Sequence, residues 1–153
     1  MVAGLFIVGT LNTVDVASYL YQQMEVQNAA QMGVQAAWKT CGTANLPATT
    51  NCSGLSSAVT AAVQATSLGN SVSVASGSPS EGYYCVNSSG ALVYVSNVSS
   101  KPSDCSSAGN ASATPGDYVQ VQTSYTYTPL FTGFTIGGAL PTSITSSSLM
   151  RLQ

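Results

Sequence analysis

The chain contains no histidine and only three cationic residues, Lys39, Lys101 and Arg151, against five acids. Charged residues make up 5% of its 153 positions, where about a quarter is usual. These shortages exclude a good deal. Without histidine there is no imidazole to act as base for the many serines, and none to ligate a metal. A net charge of −2 with three cations leaves no basic footprint, which excludes nucleic acid as a partner. Scarce charge does not mean disorder here, because disordered chains combine high net charge with few apolar residues, and this one is 44% hydrophobic. Its surface must therefore be covered by Ser, Thr, Asn, Gln and Gly, as on exported proteins and assembly subunits. The length suits one domain with a workable core.

The chemistry-bearing residues that remain do not assemble into a catalytic pattern. A Ser–Lys dyad would have to use Lys39 or Lys101, both beside predicted turns. The carboxylates Glu81, Asp104 and Asp117 lie in or beside loops, at spacings that suggest no matched pair. The Gly-rich stretch Gly133–Gly138 lacks both the GK[ST] of a phosphate loop and the strand–GxGxxG–helix setting of a dinucleotide site. The expectation is a protein with no catalytic residues, no cofactor and no metal.

Four cysteines, Cys41, Cys52, Cys85 and Cys105, form an even set with no CxxC spacing. That reads as two disulfides rather than zinc, and as an oxidising compartment outside the cytoplasm. Three pairings are open to four cysteines. Cys41–Cys52 with Cys85–Cys105 is the expected one, since each pair closes a short polar loop and the pairs follow one another along the chain. Asn51, Asn87, Asn97 and Asn110 each begin an N-x-S sequon, which a chain this rich in Asn and Ser produces by chance.

The N-terminus is the most informative segment. Residues 1 to 14 carry no charge and are largely apolar, and no proline interrupts the chain before Pro47. As a signal peptide the segment fits poorly, having neither a positive n-region nor a small-x-small cleavage site. It is too short to span a bilayer alone, which takes about 20 apolar residues, and Asn12 and Asp15 interrupt it. Either residues upstream of Met1 completed a membrane span, or the tip inserts only partly. A bare apolar helix tip is a liability on a soluble monomer. Burial in a membrane, in neighbouring subunits, or in each by turns removes the liability. Asp15, the one acid of the tip region, reads as a solvated residue where the helix leaves the packed zone.

Farther along, Tyr19, Val26, Ala30, Gly33 and Ala37 share one helical stripe, with Glu25, Asn28, Gln31, Gln35 and Lys39 opposite. The small members of the stripe allow a sheet or second helix to approach closely. The helix should stop near residues 40–43, with Lys39 suiting a C-terminus and Gly42 a cap. A second helix is expected from Ser53 to Leu68, with Ser53 as N-cap and Gly69 as stop. The period then changes to two. Residues 71–75, 83–86 and 92–95 read as short strands, and 144–152 as a terminal one. Val119, Val121, Thr123, Tyr125 and Tyr127, alternating with polar neighbours, form the clearest strand. The tyrosines of these strands read as sheet packing. Between Pro129 and Pro141 a Gly-rich excursion carries Leu130, Phe131, Phe134 and Ile136, more apolar surface than a lone domain would expose.

The run Val14-Asp15-Val16-Ala17-Ser18-Tyr19-Leu20-Tyr21, followed by Val26 to Ala37 (VQNAAQMGVQAA), resembles the N-terminal helix of TadE-like proteins. The other end is similar too: Tyr118-Val119-Gln120-Val121, then Tyr125 to Leu130 (YTYTPL), then Ser146 to Arg151 (SSSLMR). The resemblance covers both ends of the chain and not its cysteine-bearing middle. No glutamate lies near the tip, where type IV-related pilins usually carry one. The resemblance implies a pilin-like subunit of a tight-adherence pilus system, anchored by its N-terminal helix in the inner membrane before assembly.

The expected fold is therefore α+β and pilin-like: a long N-terminal helix packed on a small antiparallel sheet, with a short second helix. Residues 1–40 form the assembly helix and 41–153 the disulfide-bonded head. The expected function is a structural subunit of an extracellular, cell-surface filament, whose partners are copies of itself and a pilus assembly machinery. Val2, Leu5, Phe6, Ile7, Val8, Leu11 and Val14 are the expected assembly residues, with Gly4 and Gly9 permitting close approach, and the head carries adhesion. Two alternatives keep the fold: a minor TadE-like pseudopilin that primes or caps the pilus, and a membrane-tethered adhesin that never polymerises.

Overall fold

Thirty-nine residues without a proline form one α-helix, α1 (Val2–Thr40), with Lys39 in its last turn where the helix dipole favours a cation. The computed structural model describes residues 2–131 and 136–153; Phe134 and the side chains of Val2, Leu5 and Ile136 lie outside what is described. After α1 come two short helices, α2 (Ala48–Asn51) and α3 (Leu55–Val63). Among the described residues five strands follow: β1 (Val72–Val74), β2 (Ser80–Val86), β3 (Leu92–Asn97), β4 (Gly116–Thr126) and β5 (Ser143–Arg151). The fold class is α+β, with every strand pairing antiparallel.

β4 organises the sheet. Along one edge it pairs with β5 from Tyr118↔Arg151 to Thr126↔Ser143. Along the other it is shared, β2 taking Gly116 to Gln120 and β1 taking Thr123 to Tyr125. β3 pairs with the outer side of β2. The alternation of β4 decides what faces inward: Asp117, Val119, Val121 and Thr123 are buried, while Gln122 is exposed. Onto that inner face α1 lays Val26, Ala29, Val34 and Ala37, and α3 adds Leu55, Val59 and Val63. The lower half of α1 is thus part of the head's core.

Gly33 sits where α1 packs tightly against Val121 of β4 and Val63 of α3. A Cβ there would lie 2.8 Å from Val121 Cγ1 and 3.1 Å from Val63 Cγ2, both on stiff β-branched side chains. Gly33→Ala should therefore destabilise the head by up to about 2 kcal/mol: overpacking costs about 1–3 kcal/mol, and the helix-propensity gain of about 1 kcal/mol offsets part of it. Urea denaturation of the variant checks this. A second link between helix and sheet is polar: the buried Thr123 hydroxyl donates to the Val26 carbonyl at 3.0 Å.

Both disulfides join cysteines in chain order, Cys41–Cys52 and Cys85–Cys105, with Cα–Cα separations of 5.8 and 5.6 Å. The first ties the end of α1 to the end of α2. The second holds the loop between β3 and β4 against β2.

Three local expectations are corrected. The second helix is shorter than 53–68: its N-cap is Gly54 rather than Ser53, and it ends at Val63. There the chain tightens, the Thr66 hydroxyl donating to the Val63 carbonyl at 3.2 Å. Gly42 does not take the left-handed cap conformation, its φ being −67°. Finally, a four-residue helix, α2, fills a stretch read as loop.

Candidate assembly surface

The start of α1 stands clear of the head. Every described side chain from Gly4 to Thr10 is exposed, among them Phe6 at 71% and Ile7 at 59%, and Val8 is exposed as well. Leu11 is half-buried and Val14 exposed. At about 1.5 Å per residue, the segment from Val2 to Val14 measures about 20 Å along its axis. Nothing lies within 4 Å of where a Cβ would sit on Gly4 or Gly9, so both backbone positions face open space.

The tip's polar side chains spend their donors on the helix itself. Thr10 Oγ1 donates to Ile7 O at 2.8 Å, Asn12 Nδ2 to Val8 O at 2.7 Å, and Thr13 Oγ1 to Gly9 O at 3.0 Å. Such bonds suit a helix that must enter an apolar setting, because few donors are left to demand water. No helix among the described residues is long and apolar enough to cross a membrane.

Asp15 corrects the expectation of a solvated acid. It is wholly buried, and its Oδ1 accepts the backbone N–H groups of Leu130 and Phe131 at 3.0 and 3.3 Å. The Tyr127 hydroxyl donates to the Asp15 carbonyl at 3.3 Å, and the Tyr127 ring meets Tyr19 edge-on at 5.0 Å. A helix residue thereby fixes the segment after β4 at the base of the tip. Leu130 (59% exposed) and Phe131 are held there beside it, adding apolar surface to that of the helix.

The other acids act within the head. Glu81, on β2, accepts three hydrogen bonds from the start of α2: Ala48 N–H at 2.8 Å, Thr49 N–H at 2.7 Å and Thr49 Oγ1 at 2.7 Å. It caps the short helix in place of a local side chain, since Pro47 at the N-cap position makes no such bond. Asp117 stands two residues from Val119, the register partner of Glu81, so the two carboxylates share one face of the sheet. Their proximity corrects the reading that these acids form no pair. With Glu81's hydrogen bonds committed to α2, the pair serves as a cap and a proton site.

Asp117 is buried, and its Oδ1 has no hydrogen-bond partner among the described residues. Burial, and then the Glu81 carboxylate, push the Asp117 pKa up to about 6, against a smaller pull downward from Lys101. Lys101 itself lies over the Tyr83 ring, 5.8 Å from its centroid. The folded state thus holds a proton that the unfolded chain, with a value of 3.8, releases. Stability from this group is gained as pH falls below about 6 and lost as pH rises through it. Thermal unfolding should show a higher Tm near pH 5 than near pH 7.5, and Asp117→Asn should flatten that difference. Asp104 shifts the opposite way, its carboxyl held low by the Ser106 hydroxyl and N–H.

The two disulfides are consistent with a secreted protein in a non-reducing environment. No group of three or more His, Cys, Asp or Glu able to hold a metal occurs among the described residues. Comparison with protein-family models, with curated proteins and with solved structures finds no match for this chain.

Proposed function

We propose that the protein is the structural subunit of an extracellular pilus-like filament. It polymerises through the apolar start of α1 and presents the disulfide-bonded head for surface adhesion; its role is architectural rather than catalytic. The observation that carries this reading is the exposed tip, where Phe6, Ile7, Val8 and Val14 face outward while the head buries a complete core of its own. Hydrophobic burial is worth about 1.5–3 kcal/mol for each such side chain, so the free tip has a strong drive to be covered. The polar side chains folded back on Ile7, Val8 and Gly9 support the same reading, as does the resemblance of both chain ends to TadE-like proteins. Before assembly the tip rests in the inner membrane, from which a pilus machinery delivers it. The test is to remove detergent from the purified full-length chain and image it by negative-stain electron microscopy. Filaments of this chain alone are expected; a persistently monodisperse protein would leave the tethered, non-polymerising adhesin.

A further inference from the structure

The tip does not present its faces equally. Phe6, Gly9, Thr13, Val16 and Leu20 recur at alternating spacings of three and four, the repeat that keeps one helix row against another helix. Phe6, Gly9, Thr13 and Leu20 are exposed and Val16 is half-buried. Two contiguous shallow grooves run along this row. One is lined by Phe6, Gly9, Thr10, Thr13 and Val14, the other by Asn12, Thr13, Val16, Ala17 and Leu20. At about 100° per residue, the row lies about a third of a turn from the buried row of Asp15, Val26 and Gly33 that meets the head. It is therefore accessible with the head in place. Its one hydroxyl, on Thr13, is already bonded to Gly9 O, so the row can be dried without stranding a donor. Beyond Leu20 the same spacing reaches Gln23 and Gln27, both exposed, and the apolar row ends.

We propose that the contact between copies is made along this row, Phe6–Gly9–Thr13–Val16–Leu20, with α1 of a second copy as its occupant. The inference rests on the filament reading and narrows it. It replaces contact on every side of the tip with contact on one face, and adds Thr13, Val16 and Leu20 to the assembly residues. Knobs-into-holes spacing selects a helix as occupant, and the open backbone at Gly9 lets that helix come close. The extent of the row selects many copies rather than two. From Phe6 to Leu20 it runs about 21 Å, and a helix about 10 Å wide covers only a few hundred Å² of it. A stable pair buries about 800 Å² on each partner, so one such contact falls short and an array of them is required.

The test is thiol protection. All four native cysteines are in disulfides, so a single introduced cysteine is the only reactive thiol. Thr13→Cys, Val16→Cys and Leu20→Cys are compared with Ile7→Cys and Val8→Cys, two exposed positions that lie off the row and line neither groove. Each is alkylated with a small maleimide in filaments and in detergent-dispersed chain. For a packed helix seam, alkylation in filaments should slow at least about tenfold at the three row positions and less than about threefold at the other two. Filaments in which all five sites are protected alike, or in which Ile7 and Val8 are protected instead, would overturn the row and leave the filament. Wild-type protein that forms no filament, with no site protected at any concentration, would overturn both. Three separate row positions keep the result readable if one variant fails to fold.

Discussion

Phe6→Asp should eliminate filaments while the head folds as before. Phe6 is 71% exposed in the single chain and lies outside the core cluster, so the head loses no contact when it changes. In an assembled bundle the cost is large. The variant forfeits about 2–3 kcal/mol of phenylalanine burial and places a carboxylate where it costs roughly another 3 kcal/mol. A total near 5 kcal/mol per subunit corresponds to more than about a thousandfold in each assembly equilibrium, at about 1.4 kcal/mol per tenfold. Far-UV circular dichroism and thermal unfolding should match the parent protein, while sedimentation and microscopy show no polymer. Filaments of normal yield from Phe6→Asp would exclude the tip as the assembly element.

The second large effect is expected at Asp15. Asp15→Ala removes the carboxylate that accepts from the Leu130 and Phe131 amides in two part-buried bonds, and hydrogen bonds to a charged group are worth about 1.5–3 kcal/mol each. A loss of about 3 kcal/mol in urea unfolding is the expected result, with Asp15→Asn losing less because its amide oxygen can still accept both bonds. Hydrogen exchange locates the effect: protection at Leu130 and Phe131 should fall while the β4–β5 ladder stays protected. An alanine variant as stable as the parent would show that Asp15 does not hold this segment.

These two residues also mark the difference between what local pattern reveals and what it hides. The strands were legible because each signal lies within a few residues. Val119, Val121 and Thr123 alternate with glutamines, and they face the core as that alternation requires. The row Val26, Ala30, Gly33 and Ala37 was legible for the same reason, as was the stop beside Lys39. Asp15 was not legible because its partners lie 115 and 116 residues away. An acid in an apolar helix with no basic neighbour is nonetheless a signal that an acceptor is wanted inside. α2 escaped notice because its cap is not adjacent in sequence: Glu81 supplies it from β2, 32 and 33 residues on. The Glu81–Asp117 pair was hidden in the same way, since strand register and not spacing brings it together. α3 ended early because the chain tightens after Val63, where Ala65 donates to Ala62, three residues back instead of four.

At the tip, composition alone identified an apolar surface, and only the helix geometry distinguishes its faces. Ile7, Val8 and Phe6 are similar in hydrophobicity, yet only Phe6 lies on the row that recurs at Gly9, Thr13, Val16 and Leu20. The position of that row relative to the head depends on which side of α1 packs on Val121 and Val63, a long-range fact.

Whether the protein builds a filament is measured most directly by shearing the surface of cells that make it and identifying what the released fibres contain. Electron microscopy establishes that fibres are present, and quantitative mass spectrometry gives their composition. A structural role in the filament predicts fibres made chiefly of this chain, each copy retaining Cys41–Cys52 and Cys85–Cys105. Fibres built of another protein with this chain in trace amounts, or its absence from every fibre, would contradict it.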